Sequence, residues 1–239
     1  MKNNIITPIY DKNGIFLRKN HSFICRSGRI TKSQLKSIKK YWPLFGIDFQ
    51  LIPLNFTSIF CSSSPVILEI GFGSGESLIN NAINFPNKNF LGIEVYKSGI
   101  GSCLNYIKSY KINNLKIICY DAVEVIDKMI LNNSLSKIQI FFPDPWPKYR
   151  HHKRRMIQAS FLKKVLKKLI IGGILHIATD SGNYSDYILQ TIKYIKNYIK
   201  LPKNKFFSEL VMLRKATKFE KKAHSLGNKI FDLIFISQK

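Results

Sequence analysis

The chain has 239 residues, 45% of them hydrophobic, and sets 38 Lys and Arg against 14 Asp and Glu, a formal charge of +24. That length suits one large α/β domain, preferred here over two small ones, and the charge points to a polyanionic partner, nucleic acid or an anionic membrane surface. Cys25, Cys61, Cys103 and Cys119 show no CxxC spacing and no companion histidines, which argues against a zinc site or a disulfide framework and fits a reduced cytoplasmic setting. The opening MKNNIITPIY lacks the apolar centre of a signal peptide, and no run approaches a membrane span.

Lysine is spread over the whole chain, including helix faces such as Lys163, Lys164, Lys167 and Lys168, as a compositional bias would leave it. Arginine is scarce, and Arg150, Arg154 and Arg155 fall together in FFPDPWPKYRHHKRR, residues 141–155. Clustering of the cation suited to bidentate phosphate contact says more than the total charge.

In chain order, residues 1–60 read as an irregular basic extension, and residues 61–239 as the main domain. VILEIGFG, NFLGIEV, LKIICYDA, KIQIFFPD and ILHIATD are short apolar runs ending in Gly or an acid, separated by segments of helical length and period. Met156 to Ile170 places its apolar residues on one helical face, ahead of Gly172 and Gly173 as a stop signal. After a last long helix from Tyr184 to Ile199, FFSELVML and KIFDLIFIS are two β-rich runs suited to closing the sheet antiparallel. The predicted fold class is α/β: a doubly wound Rossmann-like sheet, mostly parallel with an antiparallel C-terminal strand pair, and helices on both faces.

In such a sheet the ligand lies beyond the carboxyl ends of the strands. Those ends are acidic here: Glu69 in the first strand, then Glu94, Asp121, Asp144 and Asp180 closing the next four. Any one of them could be a turn former or helix N-cap, but five at corresponding points point to a site. In GFGSGE, Gly71, Gly73 and Gly75 permit a tight turn and close approach of a ligand. Glu76 and Leu78 stand where a dinucleotide fingerprint wants a small residue, so a nicotinamide cofactor is disfavoured. Glu94 is spaced to accept from ribose hydroxyls and Asp121 from an adenine amino group. An adenosine without a pyrophosphate, with positive charge welcome to several carboxylates, describes S-adenosyl-L-methionine.

EIGFGSGES, LGIEV, DAVEV, FFPDPWPKYRHHKRR, HIATD and TKFEKKAHSLGNKIFDLIF resemble the bacterial tRNA (guanine-N7-)-methyltransferases, a likeness running from about Ser22 to the C-terminus. The resemblance implies a class I methyltransferase fold and transfer of a methyl group from S-adenosyl-L-methionine to guanine 46 of the tRNA variable loop. It implies cofactor contacts at Glu69, Glu94, Asp121 and Asp144, and tRNA or guanine contacts at Lys148, Asp180, Thr217, Lys218, Phe219 and Glu220. Residues 150–155, with Arg150, Lys153, Arg154 and Arg155, become an RNA-binding stretch. Where the family carries Trp after the acid of the fifth strand this chain has Ser181, with Tyr184 nearby as a candidate stacking ring. tRNA is then the partner, with no membrane and no metal, and the pattern is compatible with a monomer or a homodimer.

Guanine N7 holds a free lone pair, so its methylation needs alignment rather than a general base. Asp144, bracketed by Pro143 and Pro145, is the candidate catalytic residue, accepting from the guanine N1–H and amino group and balancing charge on the ring; a plain proline-bracketed turn is the competing reading. For Lys148 to Arg155 the competitor is a solvated helix start. Phe219 stacks on the base or simply packs in a loop, and Trp146 is core or a base platform, core being preferred.

Overall fold

The computed structural model describes residues 5–8, 10, 12, 21–23, 29–202, 207–208, 210 and 217–238. Helix α1 (Lys32–Phe45) opens at a capping box: the Gln34 amide donates to Thr31 Oγ1 (3.2 Å), and the Thr31 amide to Gln34 Oε1 (2.9 Å). Strand β1 (Gly46–Ile47) follows and pairs parallel with β4 (Leu115–Ile118) at the sheet edge. The reading of residues 1–60 as irregular is therefore corrected. T-x-x-Q is a helix start, and Pro43 sits in the last turn of α1.

After the short α2 (Phe56–Phe60) the strands alternate with helices as the pattern predicts: β2 (Val66–Ile70), α3 (Glu76–Asn84), β3 (Asn89–Ile93), α4 (Lys97–Ser109), β4, α5 (Ala122–Lys128), β5 (Leu135–Phe141), α6 (Ala159–Lys168), β6 (Leu169–Thr179) and α7 (Gly182–Lys193). Beyond them lie β7 (Tyr198–Lys200), α8 (Lys218–Ser225) and β8 (Phe231–Ser237). The eight strands run in the order β1-β4-β3-β2-β5-β6-β8-β7, parallel except at β8, which is antiparallel to both β6 and β7. Apolar side chains fill both faces, with α1, α3 and α4 over one and α5, α6 and α7 over the other. Strand order reverses between β2 and β5, so the crevice for a ligand opens over the loops that follow those two strands.

Three boundaries differ from the sequence reading. Helix α6 spans only Ala159–Lys168, because Leu169 already pairs with Leu135 on β5; Gly172 (φ +75°) lies in an irregular exposed excursion of β6 instead of stopping a helix. Helix α7 ends at Lys193, and Tyr198 and Ile199, expected as its last turn, form β7. In FFSELVML, expected as a strand, the described residues Phe207, Ser208 and Leu210 are helical, and the remainder lies outside the described residues. Tertiary pairing decides all three: β8 needs a partner on its free edge, and the nearby Tyr198–Lys200 supplies it. Among the described residues no helix is long and apolar enough to cross a membrane.

Candidate cofactor and RNA site

A cavity of about 490 Å³ lies over the crevice, within the size range of small-molecule sites. Its walls include Gly71 and Gly73 after β2, Glu94 after β3, and Pro143 and Asp144 after β5. The glycine loop is torsionally demanding, with φ of +73° at Gly71, +58° at Gly73 and +86° at Gly75. A Cβ on Gly71 or Gly73 would meet nothing within 4 Å, so both expose bare backbone beside the open volume. Gly75 serves differently: a Cβ there would come within 2.8 Å of Cys103 Sγ, so it permits the close approach of α4 rather than facing the cavity.

Glu94 fastens this loop. The Gly73 amide donates to its Oε2 (2.8 Å), and the Val95 (2.6 Å) and Tyr96 (3.0 Å) amides donate to its Oε1. A carboxylate offers about four acceptor positions, so three are spent on backbone and about one remains for a ligand hydroxyl, fewer than the ribose reading assumed. Burial raises the Glu94 pKa and the three backbone amides oppose it, while Asp144 nearby pushes it further up. A bound cation would relieve both the burial and the repulsion.

Asp144 is exposed on a constrained loop. Phe142 (φ +51°) and Trp146 (φ +47°) flank the Pro143–Asp144–Pro145 run in left-handed conformations. Each costs a bulky residue on the order of 1–3 kcal/mol, a strain that concentrates where a side chain must be aimed. The loop is tied down from behind by Arg155, which is only 3% exposed. Its Nε donates to the Pro145 carbonyl (2.9 Å) and its Nη2 to Asn183 Oδ1 (2.6 Å), and its guanidinium lies 4.8 Å from the Tyr184 ring centre and 5.0 Å from that of Tyr187. Arg155, expected as a phosphate contact, is placed as an internal strut. Tyr184, expected as a stacking ring, is fully buried, and its hydroxyl accepts from the Ile157 amide (3.1 Å). Trp146 is core, as expected.

The other cations of the stretch do face outward. Lys148, Arg150 and Lys153 are exposed, and Arg154 lies over the Trp146 ring at 5.0 Å, all on or beside a 3₁₀ helix spanning Tyr149–Arg154. Their mutual proximity registers on His151, whose pKa is lowered by partial burial and then by Arg154, Arg150, Lys148 and Lys153.

The remaining acids part company. Glu69 is buried in β2 beneath the loop, and Asp121 is buried as the N-cap of α5, accepting from the Val123 amide (2.8 Å); neither lines the cavity. Asp121 also lies 3.6 Å from His21 Nδ1. Asp180 is exposed after β6, outside the cavity wall. In TKFE, Thr217 and Glu220 form a second capping box: the Glu220 amide donates to Thr217 Oγ1 (3.1 Å) and the Thr217 amide to Glu220 Oε2 (3.3 Å). That reciprocal pair spends Glu220 on α8, while the side chains of Lys218 and Phe219 lie outside the described residues.

Several lining residues escaped the sequence reading: Ser22 and Phe23, Gln34 of α1, and Tyr96, Ser98 and Ser102 at the start of α4. The capping signal at Thr31 could have located Gln34, which donates to Ser102 Oγ (3.0 Å). Nothing local marks Ser22, whose carbonyl accepts from Trp146 Nε1 (3.4 Å).

Comparison with known proteins agrees with this architecture. Residues 63–233 match a family model described as "Putative methyltransferase". A tRNA (guanine-N(7)-)-methyltransferase of Buchnera aphidicola subsp. Schizaphis graminum is 67% identical, covering 100% of each chain. One of Salmonella typhimurium is 45% identical, covering 98% of each. The 16S rRNA methyltransferase KamB shares the fold at a TM-score of 0.53, with 14% identity over 76% of this chain and 92% of that one. The glycine loop, the Asp144 loop and the sheet that carries them are thus those of a methyltransferase, and the chain belongs to the bacterial tRNA (guanine-N7-)-methyltransferase family.

Proposed function

We propose that this protein transfers a methyl group from S-adenosyl-L-methionine to N7 of guanine 46 in the variable loop of tRNA, in the cytoplasm. The observation that carries the reading is one cavity holding Glu94 and Asp144, with exposed cations beginning at Lys148 on the same loop. The names of the relatives at 67% and 45% identity support the tRNA acceptor and the N7 position. The bare backbone of Gly71 and Gly73 and the raised Glu94 pKa suit a cationic adenosine ligand.

When bound, S-adenosyl-L-methionine supplies an electrophilic methyl carbon on a sulfonium sulfur. Glu94 keeps the glycine loop in shape and offers its remaining acceptor position to a ribose hydroxyl. Asp144 accepts from the guanine N1–H and amino group, which turns N7 toward the cavity and balances the positive charge left on the methylated ring. Asp180, closing the adjacent strand, is the second candidate for the base edge. Lys148, Arg150, Lys153 and Arg154 hold the neighbouring phosphates.

Incubating the protein with unmodified tRNA transcript and labelled cofactor, then mapping the product by nuclease digestion, should yield 7-methylguanosine at the variable-loop site; label elsewhere, or none, overturns the assignment. Replacing Arg150 and Arg154 together by Ala should weaken tRNA binding and lower the slope of log K against log salt by about 0.7–0.9 per lost contact. An unchanged slope would remove the phosphate role.

A further inference from the structure

Tyr149 opens the basic 3₁₀ helix and is 88% exposed, more than any other large apolar side chain among the described residues. Single exposed aromatics are ordinary on protein surfaces, so exposure alone assigns nothing. Three further facts set this one apart. Its chain neighbours Lys148 and Arg150 are both exposed, and Lys153 and Arg154 follow in the same helix, so the ring stands inside the outward-facing cationic patch. It meets His152 in a T-shaped contact, centroids 5.3 Å apart at 61°, which orients the ring while leaving its surface to solvent. The backbone beneath is held by the Arg155 strut, whose own amide donates to the His152 carbonyl (3.0 Å).

An oriented, solvated aromatic ring ringed by cations is the arrangement that single-stranded nucleic acid recognition uses: cations follow the phosphates and the ring takes a base. A protein partner fits less well, because docking there would bury several unpaired positive charges. Tyr149 follows Asp144 by five positions, so the two lie at most about 18 Å apart along the chain, within reach of one short stretch of RNA. We propose that Tyr149 is a stacking platform for an unpaired base flanking the target guanine. This rests on the RNA-methyltransferase reading above and adds a residue that fixes how the variable loop lies across the site.

The test compares the full-length protein with Tyr149→Ala, Tyr149→Phe and Tyr149→Leu, using unmodified tRNA transcript as the probe. Loss of one stacked base should raise the Kd and KM for tRNA roughly 5- to 150-fold in the Ala variant, with the loss falling on KM rather than kcat. The salt slope should stay at the wild-type value, since no phosphate contact is removed, and Phe should restore affinity where Leu does not. Wild-type affinity in Tyr149→Ala, full rescue by Leu, or a flattened salt slope would overturn the proposal. So would a change in sedimentation of the RNA-free protein on substitution, which would make the ring a self-association contact. If wild-type protein binds tRNA but forms no 7-methylguanosine, the functional reading fails while the stacking comparison still stands or falls on binding alone.

Discussion

Asp144→Ala should lower kcat roughly 10²- to 10³-fold, the scale seen when one preorganised electrostatic partner of a transition state is removed. Affinity for tRNA should survive, because the exposed cations Lys148, Arg150 and Lys153 lie on or beside the 3₁₀ helix and do not depend on Asp144. The reasoning turns on where charge develops. N7 gains a positive charge as the bond forms, so the carboxylate stabilises the transition state more than the neutral base, and its loss appears in kcat rather than in binding. Asp144→Asn keeps an acceptor but not the charge and should fall between the two. Single-turnover rates at saturating tRNA and cofactor would show this, and wild-type turnover in the Ala variant would remove Asp144 from the chemistry.

Arg155→Ala should be the most damaging change in the basic stretch, for a reason unrelated to RNA charge. It strands the Pro145 carbonyl and Asn183, and empties the space between Tyr184 and Tyr187. A hydrogen bond to a charged group contributes on the order of 1.5–3 kcal/mol, and two are lost here. The expected result is a lower Tm together with a kcat loss, as the Asp144 loop relaxes. Arg155→Lys is not a conservative rescue, since a lysine cannot fork between the Pro145 carbonyl and Asn183. The salt slope of tRNA binding should remain that of the wild type in either variant. A stable Arg155→Ala protein with weakened, less salt-sensitive binding would instead return Arg155 to the phosphates.

Arg154 and Arg155 show where the sequence stops being informative. They are chemically identical and adjacent, yet Arg154 closes the 3₁₀ helix half-buried over the Trp146 ring, whereas Arg155, just past its end, is buried. What pulls Arg155 inward is Asn183, far along the chain, and no local pattern encodes that. Glu94 and Asp144 were legible because apolar runs fix strands, strands fix a carboxyl edge, and an acid at that edge has few other places to be. The same rule named Glu69 and Asp121, which are buried and are not among the residues of the cavity wall. In TKFE two readings share one spelling: a threonine three residues before a glutamate is both a motif of the resembled family and a capping box, and the hydrogen bonds of the box are present. The opening helix was missed although a capping signal was present at Thr31.

The contacts of the first residues bear on how the protein matures. The Ile5 carbonyl accepts from the Asp121 amide (2.7 Å), Thr7 Oγ1 meets the Tyr120 hydroxyl (2.8 Å), and Trp146 Nε1 reaches back to Ser22. Each joins positions more than a hundred residues apart, and closing loops of that length is slow compared with forming the local turns and helices between them. Ile5, Thr7 and Ser22 therefore leave the ribosome about a hundred residues ahead of Asp121, Tyr120 and Trp146, the partners that fix them in place.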